Sequence, residues 1–174
     1  MKSIIVGSFS LALCFLPAFG QEHGKMAKSE MTDEAFVHFA AQTDMTEAHV
    51  GQLAQDQASS QAVKDYATML TTDHTKDYTA LTTAAGKAGI DVPKGLDKKH
   101  DEMIAPLAKL KGAAFDKRFT HEMVAGHTAA IAAYTHESQN GQNPALKAYA
   151  TDALPVLEKH ENDAKQLQTA KTTM

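Results

Sequence analysis

Residues 32–85 read TDEAFVHFAAQTDMTEAHVGQLAQDQASSQAVKDYATMLTTDHTKDYTALTTAA, and this stretch decides the fold. Thr32 is placed to cap a helix, with Asp33 and Glu34 where the first-turn N–H groups favour negative charge. Phe36, Ala40, Thr43, Glu47, Val50 and Ala54 then recur at alternating intervals of four and three, which marks one buried face of an α-helix. Ser59-Ser60 interrupts the pattern and opens a second helix. That helix carries Val63, Ala67, Leu70, His74, Asp77, Leu81 and Ala84 on its inner face. Gly86 and Gly89 weaken and end it, and Pro93 follows. Two helices of roughly 25 residues, each about 40 Å long, joined by a short turn make an antiparallel hairpin.

The downstream sequence repeats this plan. Phe115, Phe119, Met123, His127, Ile131 and Tyr134 form a third stripe, and Gln139-Asn140-Gly141-Gln142 is a turn. Asn143-Pro144 opens a fourth helix with proline at its first position. Its stripe is Leu146, Ala150, Ala153, Leu157, His160, Ala164 and Leu167, with Pro155 expected to kink it locally. Between the hairpins, Leu96, Met103, Leu107 and Leu110 predict a short amphipathic crossover helix that Gly112 stops. The block Val63-Lys64-Asp65-Tyr66-Ala67-Thr68 echoes Leu146-Lys147-Ala148-Tyr149-Ala150-Thr151, which fits either a duplicated hairpin or similar helix-start chemistry. The expected fold class is all-α, a four-helix bundle of two antiparallel hairpins over residues 32–171.

The N-terminus carries a different signal. Lys2, the apolar run from Ile4 to Phe19, and the small residues of Ala18-Phe19-Gly20 predict a secretory signal peptide over residues 1–20. The run is shorter than the roughly 20 residues a membrane anchor needs. Leu13 is too large to precede a lipid-modified Cys14. Residues 21–31 are polar and predict a flexible lead-in. The expected location is therefore outside the cytoplasm, in the periplasm first, with outer-membrane association or secretion as alternatives. Cleavage after Gly20 removes the one cysteine, so thiol chemistry and thiolate metal sites are excluded from the remaining chain. That chain has no transmembrane segment in this reading. With 17 Lys+Arg against 21 Asp+Glu and a net charge of -4, the full sequence lacks the basic stripe of a nucleic-acid binder. The partner class left open is a protein or a small molecule.

Each of the four stripes contains one polar residue where a core residue belongs: Glu47, His74, His127 and His160. Residues equidistant from an antiparallel turn stand at the same height. Glu47 and His74 centre on position 60.5, at Ser59-Ser60, and His127 and His160 centre on 143.5, within the second turn. Each pair should face across its hairpin, and a crossover can bring both pairs to one level. One carboxylate and three imidazoles meeting in a core suit a divalent transition metal such as zinc, copper, iron or nickel. Asp73 and Asp77 near His74, Glu122 near His127 and Glu161 beside His160 are candidates to orient the ligands. The same layer also reads as a hydrogen-bonded register device without metal. Met45, Met69 and Met123 offer soft ligands or, more simply, core filling. His38, His49, His100 and His136 are expected to be solvated. His121 and His127 are six residues apart, not the four of a His-Glu-x-x-His protease helix. No catalytic set emerges, so a non-enzymatic role is expected unless the metal keeps an open position.

The chain resembles an exported bacterial group, the domain of unknown function 4142 family. The stretches that carry the likeness are Phe36-Val37-His38-Phe39-Ala40-Ala41, Glu47, Leu53-Ala54, Val63-Lys64-Asp65-Tyr66-Ala67 and Asp73-His74-Thr75. They continue with Gly112-Ala113-Ala114-Phe115-Asp116, His127 and Leu154-Pro155-Val156-Leu157-Glu158-Lys159-His160. The resemblance implies a ferritin-like four-helix bundle and carries over to Glu47, His74, His127 and His160. The resemblance implies little about activity; the role expected from the polar layer is envelope metal handling or stress protection. The sequence departs from catalytic ferritin-like proteins, which use Glu-x-x-His on two helices. Leu157 precedes His160 by three, and no glutamate stands three before His74, so a carboxylate-bridged di-iron centre is not expected. The processing expectation is tested by intact-mass analysis of exported protein. A chain starting at or within a few residues of Gln21 is expected, and a full-length chain or a lipid on Cys14 removes the reading.

Overall fold

The computed structural model describes residues 31–170, and the expected signal peptide and nearly all of the lead-in lie outside them. Five helices follow one another: α1 (Asp33–Gln57), α2 (Gln61–Ala88), α3 (Lys98–Leu107), α4 (Gly112–Asn140) and α5 (Pro144–Ala170). No strand occurs among the described residues, so the chain is an all-helical bundle. The expected caps form at two places. Thr32 accepts from the Ala35 N–H, and Gly89 ends α2 with a left-handed backbone, φ 73°. The α5 helix runs on through Pro155, whose ring sits on the exposed side.

α1 packs on α2, α4 on α5, and the two hairpins join through α2 with α5 and α1 with α4. One end of the core unites the start of α1, the end of α2, the end of α4 and the start of α5, around Phe36, Leu81, Tyr134 and Leu146. The other end unites the opposite halves with α3, around Leu70, Phe115 and Phe119. The long helices therefore run up, down, down and up, and the connector between α2 and α4 crosses the full bundle. Gln42 on α1 pins this crossover. Its side chain donates to the Gly95 carbonyl at 3.0 Å and accepts from the Asp97 N–H at 2.9 Å.

The crossover differs from expectation in two respects. Ile104 and Leu107 bury the inner face of α3, while Met103 is 50% exposed. α3 has already ended before Gly112, which instead begins α4 with φ 62°, a conformation only glycine adopts without strain.

Two aspartates, Asp116 buried and Asp33 half-buried, lock each hairpin to the other. Asp116 on α4 accepts from Ser59 N, Ser59 Oγ and Ser60 N at 3.1, 2.7 and 3.1 Å, tying down the first turn. Asp33 on α1 accepts from Gln142 N and Asn143 N, both at 2.8 Å, and does the same for the second.

α1 and α2 are in tight contact at Gly51. A Cβ there would lie 2.3 Å from Thr71 Oγ1 and 2.8 Å from the Ala67 carbonyl oxygen. A Cβ at Gly86 would meet nothing within 4 Å. Helix propensity alone favours alanine over glycine by about 1 kcal/mol at either site. Gly86→Ala is expected to stabilise the protein by about 0.5–1 kcal/mol in chemical denaturation. Gly51→Ala is expected to destabilise it by about 1–3 kcal/mol, because helix backbone must move. Equal signs for the two variants would contradict this packing.

Candidate metal centre

Each long helix contributes one side chain to a polar layer midway along the bundle: Glu47 from α1, His74 from α2, His127 from α4 and His160 from α5. All four are buried, with exposures of 4%, 2%, 0% and 1%. The three imidazoles each offer a nitrogen, and these lie within 4.8 Å of one another. Ring centroids are 5.3–5.7 Å apart. Glu47 Oε2 stands 3.1 Å from His74 Nε2 and 3.4 Å from His127 Nε2.

The hydrogen bonds divide each ring into an outer and an inner nitrogen. His74 Nδ1 pairs with Asp44 Oδ1 at 2.9 Å, His127 Nδ1 donates to the Met123 carbonyl at 2.8 Å, and His160 Nε2 pairs with Asp73 Oδ2 at 3.1 Å. The opposite atoms, His74 Nε2, His127 Nε2 and His160 Nδ1, are buried and make no hydrogen bond, and neither does Glu47 Oε2. The Glu47 contacts to His74 and His127 are thus close in distance but not aligned as hydrogen bonds. With each ring neutral, outer acceptors that hold the N–H leave the inner lone pairs free, the arrangement that fixes metal-ligating histidines. Four donors about 2.0–2.1 Å from a tetrahedral ion would stand roughly 3.3 Å apart. The two Glu47 contacts already have that spacing, and the imidazoles need only draw inward. An N₃O donor set of this kind suits Zn²⁺ and Cu²⁺.

Charge is balanced inside the layer. Burial alone would raise the Glu47 carboxyl, but His127 and His74 outweigh it and hold it below the ordinary carboxylate range. Burial opposes charge on His74 as well, yet Glu47 and Asp44 lift its pKa to about 10. Asp44 is pushed up to about 7 by burial, against the pull of His74. His160 is depressed to about 4 by burial, despite its bond to Asp73.

The remaining acids sit differently from the sequence expectation. Asp73 reaches His160 on α5, not its neighbour His74. Asp77 accepts from Tyr149 at 2.6 Å and Tyr134 at 3.2 Å, in the next layer. Glu122 pairs with Arg118, and Glu161 with Thr128 and Lys165. Asp44 was missed, although its place three residues before Glu47 puts it on the same helical face. His38, His49 and His121 are exposed, and His100 and His136 are half-buried.

The raised His74 pKa fixes a sign for the metal-free protein. A group that binds its proton more tightly when folded stabilises fully below its unfolded value of about 6.5 and loses that contribution as pH rises through about 10. Denaturation of metal-free protein at pH 6, 8 and 10 should therefore show falling stability. His74→Gln should flatten the fall, and an unchanged slope in that variant would refute the assignment.

The comparisons agree with this architecture. Residues 18–167 match the family model described as Domain of unknown function (DUF4142). Among solved structures, the chain is similar to "CopM in the Cu(II)-bound form", with a TM-score of 0.66 and 19% identity over 80% of this chain and 97% of that one. At that identity the likeness speaks for the fold. A search of curated proteins finds no match. With 150 of its 174 residues inside the family match, the chain belongs to the DUF4142 family.

Proposed function

We propose that this protein binds one divalent transition metal ion, with copper(II) favoured, through Glu47, His74, His127 and His160, and serves metal handling in the cell envelope. The observation that carries the reading is the set of four buried donor atoms, one per helix, that converge without hydrogen-bond partners. Such atoms are costly to bury unless something fills their lone pairs. Copper is favoured because N₃O sites follow the affinity order that peaks at Cu²⁺, and because the similar CopM fold was solved with Cu(II). The helix order with a single long crossover supports a ferritin-like topology. The secretory pattern of residues 1–20 supports export, and no described helix is long and apolar enough to cross a membrane. Asp44 and Asp73 would orient His74 and His160 toward the ion and offset its charge. A non-enzymatic role follows from four protein donors, which leave a tetrahedral ion closed. The close approach of His74 to both Asp44 and Glu47 favours a second reading, an ionic core network that fixes register without metal.

Metal titration separates the two. One Cu²⁺ or Zn²⁺ per chain is expected. Ion at a hundredfold excess over its Kd should add about 2.7 kcal/mol of stability, or roughly 5–10 °C in Tm. His74 holds a proton at pH 7, so calorimetry in buffers of differing ionisation enthalpy should count about one proton released per ion bound. His127→Ala should abolish the shift, and His100→Gln should leave it intact. The metal reading is sunk if zinc, copper, iron, nickel and manganese leave Tm unchanged and natively purified protein carries no stoichiometric metal.

A further inference from the structure

One side of the polar layer borders a cleft. This cleft of about 570 Å³ follows the seam between α2 and α5, and its wall includes His74 and His160 but neither Glu47 nor His127. Above and below, the layer is closed by the aromatic and aliphatic cores around Phe36 and Tyr134 and around Phe115 and Phe119. Three aspartates line the cleft beside Lys76 and Lys87. Asp77 is committed to Tyr149 and Tyr134. Asp73 stands between solvent and the centre: its side chain is 33% exposed, and its Oδ2 lies 3.1 Å from His160 Nε2, on a ring only 1% exposed. Ala80, Ala148 and Ala153 keep the passage open, because small side chains leave its walls apart.

We propose that metal ions reach and leave the centre through this α2/α5 cleft, with Asp73 as the positioning residue at its inner end. This rests on the reading of the centre as a metal site. Asp73 does two things from one place. Its negative charge, in a cleft with low-dielectric walls, raises the local concentration of cations and speeds their arrival. Its bond to Nε2 keeps His160 turned so that Nδ1 faces the other donors. His74 and His160, which line the cleft, are then the first ligands an arriving ion meets, and Glu47 and His127, which do not touch it, close round the ion afterwards.

The test uses Cu(II) as the probe. Loading is followed by stopped-flow visible absorption and release by capture with EDTA. Ala80→Phe, which fills the cleft without touching a donor, should slow loading and release together while one Cu(II) per chain still binds at equilibrium. Asp73→Asn keeps an oxygen acceptor for His160 but removes the charge. It should slow loading about tenfold at low ionic strength and flatten the fall in wild-type loading rate as salt is added. A purely structural loss would not change that salt dependence. Asp152→Asn, a cleft acid on exposed α5 surface, gives a second reading of the salt effect if Ala80→Phe does not fold. Gln52→Phe, on exposed α1 surface outside the cleft, should match wild type. Wild-type loading and release rates in the cleft variants, with full stoichiometry, overturn the cleft route alone. Absence of Cu(II) uptake by the wild-type protein overturns the metal reading and the route with it.

Discussion

The burial of the Glu47 carboxylate is the constraint on which the rest of the bundle depends. A carboxylate 4% exposed in a helical core is prohibitive by itself. It is tolerable here because His74 and His127 stand 3.1 and 3.4 Å away, on two other helices. Those distances require that α1 meet both α2 and α4 at a set height. Gly51 lets α1 and α2 close up one turn beyond Glu47. Asp116 and Asp33 fix the height of the hairpins by holding each other's turns. The local glycine, the reciprocal caps and the polar layer are one registration device, and a slip of one helix turn (about 5.4 Å) would strand a charge.

The reciprocal caps also say something about how the bundle is built. Asp33 and Asp116 are 83 residues apart, as are Phe36 and Phe119, and as are Val63 and Leu146 at the start of the echoed blocks. The same spacing relates Asp44 to His127 and Asp77 to His160. The two hairpins thus repeat one plan of caps, core aromatics and inward polar residues. They do not repeat the centre. The counterpart of Glu47 is Ala130 and that of His74 is Leu157. The donors gather in one layer, while Asp77 turns to Tyr134 and Tyr149 in the next. A repeated plan with asymmetric filling gives one nitrogen-rich cluster rather than the two matched carboxylate-histidine pairs of di-iron bundles.

How much of this the sequence contained depends on what fixes each feature. The four long helices were legible because 3.6-residue periodicity, caps and glycines act locally. The pairing of Glu47 with His74 was legible because distance from a turn sets height in a hairpin. The partners of the acids were not, because neighbours along a helix point about 100° apart. Asp73 therefore faces away from His74 and reaches His160 on the adjoining helix, while Glu161 leaves His160 for Thr128. Which hairpin face meets which is decided by the crossover, and nothing in residues 94–111 states its path. Gln42 pins that path through two backbone contacts 53 and 55 residues away, and a buried glutamine carries no periodic signal beyond its place on the face. Met103 and Ile104 traded places for the same reason: one residue of phase in a ten-residue helix is set by what it packs against.

On the metal reading, the layer is poised between two occupants of the same lone pairs. In the metal-free chain the positive charge comes from a proton on His74, held by Asp44 and Glu47. In the metal-bound chain it would come from the ion, and the outer acceptors would keep their roles. His160 needs no such exchange, because burial already keeps it neutral down to about pH 4. On that reading the protein offers one ligand ready and one that must first give up a proton. On the metal reading the ready ligand lines the cleft together with His74, and it is the one bonded to Asp73. An arriving ion would gain its first bond to His160 before it has to displace the His74 proton. That order lets capture begin without first unpairing the buried charges that hold the helices in register.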